Sequence, residues 1–387
     1  MPTRGFSTEE FESRVAAFQR HMAADCLDAA VLTQEAEIRY FSGFLTQFWE
    51  SPTRPWFLII PAAGEPIAVI PEIGRSGMAG TWISQIHSWP APRADDKGVS
   101  LLSKVLDELP RRHGRIGFAL GPESYVRQSL NDFERIRRTL VGVEYSDIGA
   151  ALHAQRWRKS PAEIDKIRHA CTLASDCYEG LADKLAAGMS ERDACRLFQL
   201  DALGAGADRV PFLIAGSGPG GYNDIIMGPT DRVLDSGDLL IIDTGVQWDG
   251  YFSDFDRNYG FGRVDDATRA AYETVYRATD AGLAAAKPGA TLGQLFDAMW
   301  GVMDAAGALG NDVGRIGHGL GMQLTEWPSI IAGAPEILEP GMVLTLEPGM
   351  SFAPGKMMVH EEDIVITESG AELLSRRAAA ELPIVGR

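Results

Sequence analysis

Cysteine pairs, long apolar runs and positive charge are all scarce in this sequence. Its four cysteines include no CxxC pair, which argues against a disulfide framework and against a thiolate metal site. No apolar run approaches the roughly 20 residues of a membrane helix. The N-terminus, MPTRGFSTEE, also lacks the apolar segment of a signal peptide. We therefore predict a cytoplasmic protein with no membrane partner.

Acidic residues outnumber basic residues by 53 to 36, which gives a net charge of −17 at pH 7. A surface of that sign repels the phosphates of nucleic acid, so we expect no nucleic-acid partner. The chain has 387 residues, 45% of them hydrophobic, which is typical of a globular protein too long for one small core. Two domains are the expected organisation.

The first 155 residues alternate between strand and helix patterns, which predicts an α/β domain. Ser7-Thr8-Glu9-Glu10 has the form of a capping box, and the helix that it begins is expected to reach about residue 25. This part of the sequence has no Gly-rich phosphate loop and no cluster at metal-ligand spacing, so we expect a scaffold or a lid. Further helices are predicted at 99–112 and 124–139, and strands at 29–33, 56–61, 66–71, 86–89, 115–120 and 143–147.

A second domain is predicted over residues 156–387. Ser160-Pro161-Ala162-Glu163 combines a serine N-cap, a proline at the first helical position and a glutamate three residues after the cap, which is a strong helix start. A second helix and strand hairpins over 212–256 follow. The same order returns afterwards, with helices and strands predicted at 266–286, 291–306, 343–347 and 360–367. We expect two similar α+β halves around a shared cleft.

Two acids mark the ends of predicted strands in the first of these halves. Asp243 directly follows the apolar run 239–242, and Asp254 lies across what the pattern indicates is a β-hairpin. Carboxylates that converge from adjacent strands repel each other unless a cation lies between them. Taken alone, the pair is also consistent with two solvated hairpin residues.

The second half supplies three more candidate ligands. His318 stands between two glycines, Glu347 ends the apolar strand MVLTLEPG, and Glu361 begins the strand EEDIVIT. Each alone is also consistent with a turn or a solvated strand end. With Asp243 and Asp254 they make four carboxylates and one imidazole, a set that suits Mn²⁺, Co²⁺, Fe²⁺ or Zn²⁺. Four carboxylates that can bridge suit two such ions about 3.5 Å apart.

These five residues stand in the segments IIDTG, GYFSD, GHGLG, MVLTLEPGM and EEDIVITESG, which together resemble the pita-bread metallopeptidases. That family includes methionine aminopeptidase, Xaa-Pro aminopeptidase and prolidase. The resemblance covers about 156–387, and the first half resembles the creatinase-like domain of prolidases and Xaa-Pro aminopeptidases. It implies an α+β protein in which a creatinase-like α/β N-terminal domain precedes a C-terminal pita-bread fold. A homodimer is also implied.

The resemblance further implies a site. Asp243, Asp254, His318, Glu347 and Glu361 would be ligands of two divalent ions, with Mn²⁺ as the expected metal, and Glu347 would shuttle protons. The family's last ligand lies six positions before the threonine of the closing strand, which selects Glu361 over its acidic neighbours. Because side chains alternate along a strand, the next glutamate would face away.

The chain departs from the Xaa-Pro enzymes at four positions. Ile226, Thr325 and Val359 stand where those enzymes carry histidine, histidine and arginine, and Asp256 replaces the usual threonine. The two histidines normally contact the substrate or the tetrahedral intermediate. Their replacement therefore removes side chains with which those enzymes bind a peptide. Asp256 would either add a further metal ligand or pair with Arg257.

The predicted substrate wall consists of Thr325, Glu326 and Trp327, and Thr325 and Glu326 are also predicted to be catalytic. Ile226 and Tyr222 are the other predicted substrate-binding residues. Tyr222 ends the loop GSGPGGY, which is equally consistent with a flexible turn.

The leading functional hypothesis is dinuclear, metal-dependent hydrolysis of short peptides with proline second. The alternative is a metal-dependent non-peptidase of the same fold, a C–N hydrolase or a lyase acting on a small zwitterionic metabolite. It stays open because of Ile226, Thr325 and Val359. A non-catalytic binding protein is the third hypothesis, and the cost of holding four carboxylates together stands against it.

Overall fold

The computed structural model describes residues 1–311 and 313–385, and the chain separates into two compact units. One unit is Thr3–Arg156, and the other begins at Trp157 and includes Met1–Pro2. Across the described residues, every helix is too short or too polar to cross a membrane.

A mixed six-stranded sheet with the order β4-β3-β2-β1-β5-β6 forms the centre of the first unit. The strands β1, β2 and β3 are buried along their whole length, which matches their apolar sequences. The strands are β1 (Ala29–Leu32), β2 (Phe57–Pro61), β3 (Ile67–Pro71), β4 (Gln85–Trp89), β5 (Arg115–Phe118) and β6 (Glu144–Asp147). The α-helices are α1 (Thr8–Ala24), α2 (Glu35–Ser42), α3 (Arg75–Ala79), α4 (Val99–Glu108), α5 (Leu130–Thr139) and α6 (Gly149–Arg156).

The helices of this unit differ from the prediction in several places: α2, α3 and α6 were not predicted, and α4 ends at Glu108, before the predicted residue 112. The helix predicted at 124–139 begins only at Leu130, because Ser129 is its N-cap and accepts a hydrogen bond from the amide of Asp132 at 3.2 Å. The helix α2 was not predicted. It begins with a capping box made by Gln34 and Glu37, which lacks the serine or threonine by which such boxes are recognised in a sequence.

The second unit contains four α-helices and thirteen strands among its described residues. The helices are α7 (Pro161–Ala182), α8 (Glu191–Gly204), α9 (Asp266–Ala285) and α10 (Leu292–Ala305). The strands of the first half are β7 (Leu213–Pro219), β8 (Asp238–Thr244), β9 (Gln247–Trp248), β10 (Tyr251–Phe252) and β11 (Phe255–Phe261). Those that follow are β12 (His318–Gly319), β13 (Glu326–Ser329), β14 (Val343–Leu346), β15 (Gly349–Ala353), β16 (Lys356–Val359), β17 (Glu362–Thr367), β18 (Gly370–Leu373) and β19 (Ile384–Val385).

Each half of this unit is a helix pair followed by a sheet, so the predicted repetition of two α+β halves is confirmed. The sheets have the orders β19-β11-β8-β7 and β13-β12-β14-β17-β18. One buried apolar cluster contains Ile241 from the first sheet, Leu344 and Ile364 from the second, and Val275 and Met299 from α9 and α10. The core therefore joins both sheets to the second helix pair.

The connection between β8 and β11 depends on a close backbone approach at Gly245. A Cβ atom at this position would lie 1.6 Å from the backbone oxygen of Ser253. Ser253 in turn donates its amide to the carbonyl of Val246 and accepts the Val246 amide at its hydroxyl, each at 3.0 Å. Glycine at 245 therefore sets the path of the chain between Asp243 and Asp254.

Gly245→Ala is expected to destabilise the protein by about 2–3 kcal/mol, because the added methyl group forces the backbone apart. Urea unfolding of the variant and the wild type measures the change. The control is Gly180→Ala, an exposed position in α7 where nothing lies within 4 Å of an added Cβ. Alanine there should stabilise the protein by about 0.5–1 kcal/mol. Unchanged stability of Gly245→Ala would contradict the close approach.

Candidate metal centre

The first sheet places three acids at one end of a strand pair. Asp243 lies near the end of β8, Asp254 directly precedes β11, and Asp256 lies opposite Asp243 in the antiparallel pairing of these strands. Residues that lie opposite each other in such a pair project to the same face. Asp243 and Asp256 therefore share a face of the sheet.

The second sheet brings three further residues to the same place. His318 begins β12, Glu347 follows β14 and Glu361 precedes β17, and β14 lies between the other two strands. Ligand atoms of Asp254, His318 and Glu361 all lie within 4.8 Å of one another, and all three residues are buried. The Nε2 atom of His318 lies 3.4 Å from Asp254 Oδ2 and 3.7 Å from Glu347 Oε1. The structure thus brings three of the four predicted carboxylate ligands close to the imidazole of the fifth.

Asp243 interacts electrostatically with the same cluster of carboxylates. Burial, and after it the negative charge of Asp254, raise the pKa of Asp243 well above its ordinary value. Its Oδ1 atom is buried and has no hydrogen-bond partner among the described residues. The fifth predicted ligand therefore also faces the buried acidic cluster.

The imidazole of His318 is held with Nε2 directed at the carboxylates. Its Nδ1 atom lies 2.9 Å from the carbonyl oxygen of Gly319, so Nδ1 carries the proton and Nε2 offers a lone pair. Gly317 precedes it with φ +149°, and a Cβ at that position would lie 2.4 Å from the carbonyl oxygen of Thr345. Position 317 therefore has no room for a side chain.

Burial disfavours the charged forms of the carboxylates in the cluster. Burial raises the pKa of Asp254 to about 8 and that of Glu347 to about 7, and it raises the pKa of Glu361 well above its ordinary value. One oxygen each of Glu347 and Glu361 is buried without a hydrogen-bond partner among the described residues. Buried acidic oxygens that lack hydrogen-bond donors, next to a neutral imidazole, fit a divalent cation.

Asp256 was predicted either to pair with Arg257 or to be a further metal ligand. The guanidinium of Arg257 donates to the backbone oxygens of Asp256 and Glu361, at 2.6 and 3.2 Å, and pairs with Glu362 at 3.1 Å. It does not pair with the carboxylate of Asp256. That carboxylate is 1% exposed, accepts one hydrogen bond from Asn258 at 3.3 Å, and leaves its Oδ2 without a partner among the described residues.

Glu326 lies in a different environment from the one predicted for a catalytic residue. Its carboxylate is paired with Lys159 at 3.1 Å, and it accepts the backbone amides of Met322 and Gln323 at 2.8 and 3.1 Å. Both charged side chains are almost fully buried. These contacts brace the loop between β12 and β13, and the catalytic role of Glu326 stays a prediction.

The other predicted substrate residues occupy very different positions. Tyr222 is 1% exposed, and its hydroxyl donates to Asn258 at 3.1 Å and accepts the amide of Val359 at 2.8 Å. It is a core residue, which corrects the prediction that it contacts substrate. Ile226 is 76% exposed in the loop between β7 and β8. Thr325 is exposed and Trp327 is half-buried at the start of β13.

Arg315 was missed by the sequence analysis. Its Nε atom lies 3.4 Å from Glu347 Oε1, and its Nη2 atom donates to Thr325 Oγ1 at 3.3 Å. Its position three residues before His318 could have predicted this contact, because a positively charged side chain that close to a predicted acidic cluster is attracted to the carboxylates. Lys159 had no such signal, because its partner Glu326 is distant in the sequence.

Known proteins match nearly the whole chain. The model of metallopeptidase family M24 matches residues 165–368, and that of the creatinase/prolidase N-terminal domain matches residues 14–157. The "Probable dipeptidase PepE" of Mycobacterium tuberculosis is 30% identical over 385 residues, which is 96% of each chain.

Solved structures of dipeptidases and prolidases are also similar to this chain. The dipeptidase PepE from Mycobacterium ulcerans has a TM-score of 0.85 at 27% identity, and the match covers 98% of this chain and 99% of that one. The prolidase from Thermococcus sibiricus has a TM-score of 0.88 at 23% identity, over 98% and 100% of the two chains, which shows the shared fold.

The chain therefore belongs to metallopeptidase family M24. Its first unit is the creatinase/prolidase type of N-terminal domain that the second family model describes. The predicted family, fold class and metallopeptidase character are confirmed, and dependence on a divalent metal follows from the family.

The stability of the metal-free protein should fall as the pH rises from about 7 to 8. The pKa of Asp254 is raised to about 8, whereas carboxyl groups of the unfolded chain have a pKa near 4, so the folded state binds more protons in this window. The free energy of unfolding therefore decreases with pH, by on the order of 1 kcal/mol per pH unit for each retained proton. The lowered pKa of His318 acts in the opposite direction, but only below the ordinary histidine value near 6.5.

Urea unfolding of chelator-treated protein at several pH values measures this slope. Asp254→Asn is the matched variant, because it removes one titrating group with little change of shape and should make the slope shallower. A stability of the metal-free wild type that rises between pH 7 and 8 would contradict the raised pKa values.

Proposed function

We propose that this chain is a metal-dependent dipeptidase or aminopeptidase that hydrolyses short peptides with proline in the second position. The observation that supports it is the group of buried carboxylate oxygens without hydrogen-bond partners that faces His318 Nε2. A relative that shares 30% of the sequence carries the name of a dipeptidase, and solved structures of the same fold carry those of Xaa-Pro dipeptidases and prolidases.

Five side chains would hold two divalent ions in this proposal: Asp243, Asp254, His318, Glu347 and Glu361. Mn²⁺ is the proposed metal, and Co²⁺, Zn²⁺ and Fe²⁺ suit the same oxygen-rich set. Such ions supply Lewis acidity, which polarises a scissile carbonyl and makes water a nucleophile near neutral pH. Asp256 is a candidate sixth ligand, because its Oδ2 atom is buried without a partner among the described residues.

Glu347 is the proposed proton shuttle. This role rests on the family resemblance, and a carboxylate within reach of the substrate can take and return a proton. The side chain of Glu347 is 17% exposed, more than those of His318 and Asp254 at 3% and 7%, so it lies on the open side of the cluster. Among the proposed ligands it is therefore well placed to reach a substrate.

A metal-dependent non-peptidase of the same fold is the second candidate, a C–N hydrolase or lyase on a small zwitterionic metabolite. The exposed Ile226 and the exposed Thr325 favour it, because neither offers the imidazole with which Xaa-Pro enzymes read a peptide. A non-catalytic binding protein is disfavoured, since a buried acidic cluster without its cation is costly. We also propose a cytoplasmic homodimer, and four unpaired cysteines are consistent with a reducing compartment.

Protein reconstituted with Mn²⁺ should release the N-terminal residue from Xaa-Pro dipeptides or Xaa-Pro-Yaa tripeptides, and a chelator should abolish the release. His318→Ala should lower the bound metal, measured by atomic emission, and reduce kcat/KM by about 100-fold or more, because Nε2 is a proposed ligand. His113→Ala is the control, since this exposed histidine lies in the first unit.

Two results would count against this function. A His318→Ala variant that keeps the wild-type metal content and activity would contradict the assignment of His318 as a ligand. Metal-loaded wild type that hydrolyses no peptide of the panel would favour the non-peptidase.

A further inference from the structure

Arg315 brings a positive charge to the open side of the candidate metal centre. Its guanidinium lies between Glu347, at 3.4 Å, and Thr325, at 3.3 Å. Its side chain is 32% exposed, so solvent reaches it. Thr325 stands where the Xaa-Pro enzymes carry a substrate-reading histidine. The arginine therefore contacts both a proposed metal ligand, Glu347, and the residue that replaces the substrate-binding histidine, Thr325.

Other cations near the cluster have different environments. Lys159 is 2% exposed and paired with the buried Glu326. Arg257 is 11% exposed and is engaged by Glu362 and by backbone oxygens. Both are fixed within the protein by these contacts. Arg315 makes its two contacts on one side and keeps further donors toward solvent, since a guanidinium carries five N–H groups.

The charge of Arg315 is not needed to balance the four proposed carboxylate ligands of a loaded centre. The positive charge of two divalent ions already offsets the negative charge of those four ligands. Once Glu347 is neutralised by a metal, its attraction for the guanidinium weakens, and the positive charge becomes available to another anion. A guanidinium binds a carboxylate with two parallel hydrogen bonds, which a histidine cannot do.

We propose that Arg315 binds the C-terminal carboxylate of a dipeptide substrate and thereby replaces the peptide-reading histidines. This inference rests on the proposed function and narrows its substrate class to free dipeptides. The carboxylate of a tripeptide lies one residue further from the scissile bond, and a C-terminal amide carries no charge. Both should therefore bind more weakly than a free dipeptide.

The test compares Ala-Pro with its C-terminal amide, Ala-Pro-NH₂, on the full Mn²⁺-loaded protein. The wild type should prefer the free acid by about 10- to 100-fold in kcat/KM, which is the range for one charged hydrogen-bonded contact. Arg315→Gln should lose that preference by slowing the acid alone, and Arg315→Lys should keep part of it because the charge remains. Each variant is checked for metal content by atomic emission and for folding by circular dichroism.

The control variant is Arg168→Gln, which makes the same charge change at a surface ion pair with Glu372 in which the arginine is 38% exposed. It should keep the wild-type preference for the acid. Equal turnover of acid and amide by the wild type would overturn the proposal and leave the peptidase standing, and so would an Arg315→Gln variant that slows both substrates alike. Absence of turnover on every peptide would instead remove the proposed function, and this inference with it.

Discussion

The cost of burying several carboxylates close together is the constraint around which the second unit is arranged. Asp254 and Glu361 lie within 4.8 Å of each other and of His318, and the raised pKa values show that their charged forms are disfavoured. A cation that neutralises them stabilises the folded arrangement, so metal binding and folding are coupled. Because Asp254 belongs to the first sheet and the other two residues to the second, such a cation would also join the two halves.

The acid that precedes β17 and the two acids that begin it show how the neighbouring contacts support this cluster. Glu361 faces it, whereas Glu362 pairs with Arg257 at 3.1 Å. Asp363 accepts the backbone amide of Asp254 at 2.9 Å and thereby ties β17 to the start of β11. Arg257 adds a second tie, since it also donates to the backbone oxygens of Asp256 and Glu361. The strands that carry the candidate ligands are thus held together by charged groups outside the cluster.

The sequence allowed the second unit's fold and the five candidate ligands to be predicted, because acids at the ends of apolar strands are visible in a local pattern. Contacts between distant residues left no such pattern. Glu326 and Tyr222 were predicted to contact the substrate. In the structure Glu326 is paired with Lys159, and the hydroxyl of Tyr222 accepts the amide of Val359, so both side chains are held in the interior. Arg315 was missed although it lies close in the sequence, because the GHGLG motif contains His318 but not the arginine three residues before it.

Charge balance also limits what the site can bind. Two divalent ions offset the four proposed ligands, and the remaining charges of Asp256 and Arg315 offset each other. A loaded centre of this kind favours a ligand with no net charge but with an anionic end that Arg315 can bind, which describes a zwitterionic dipeptide and equally a small zwitterionic metabolite. Arg315 lies 3.4 Å from Glu347, so in the proposed binding mode the anionic end would lie close to the reacting bond. That closeness favours a dipeptide over longer peptides, because each added residue moves the carboxylate further from the centre.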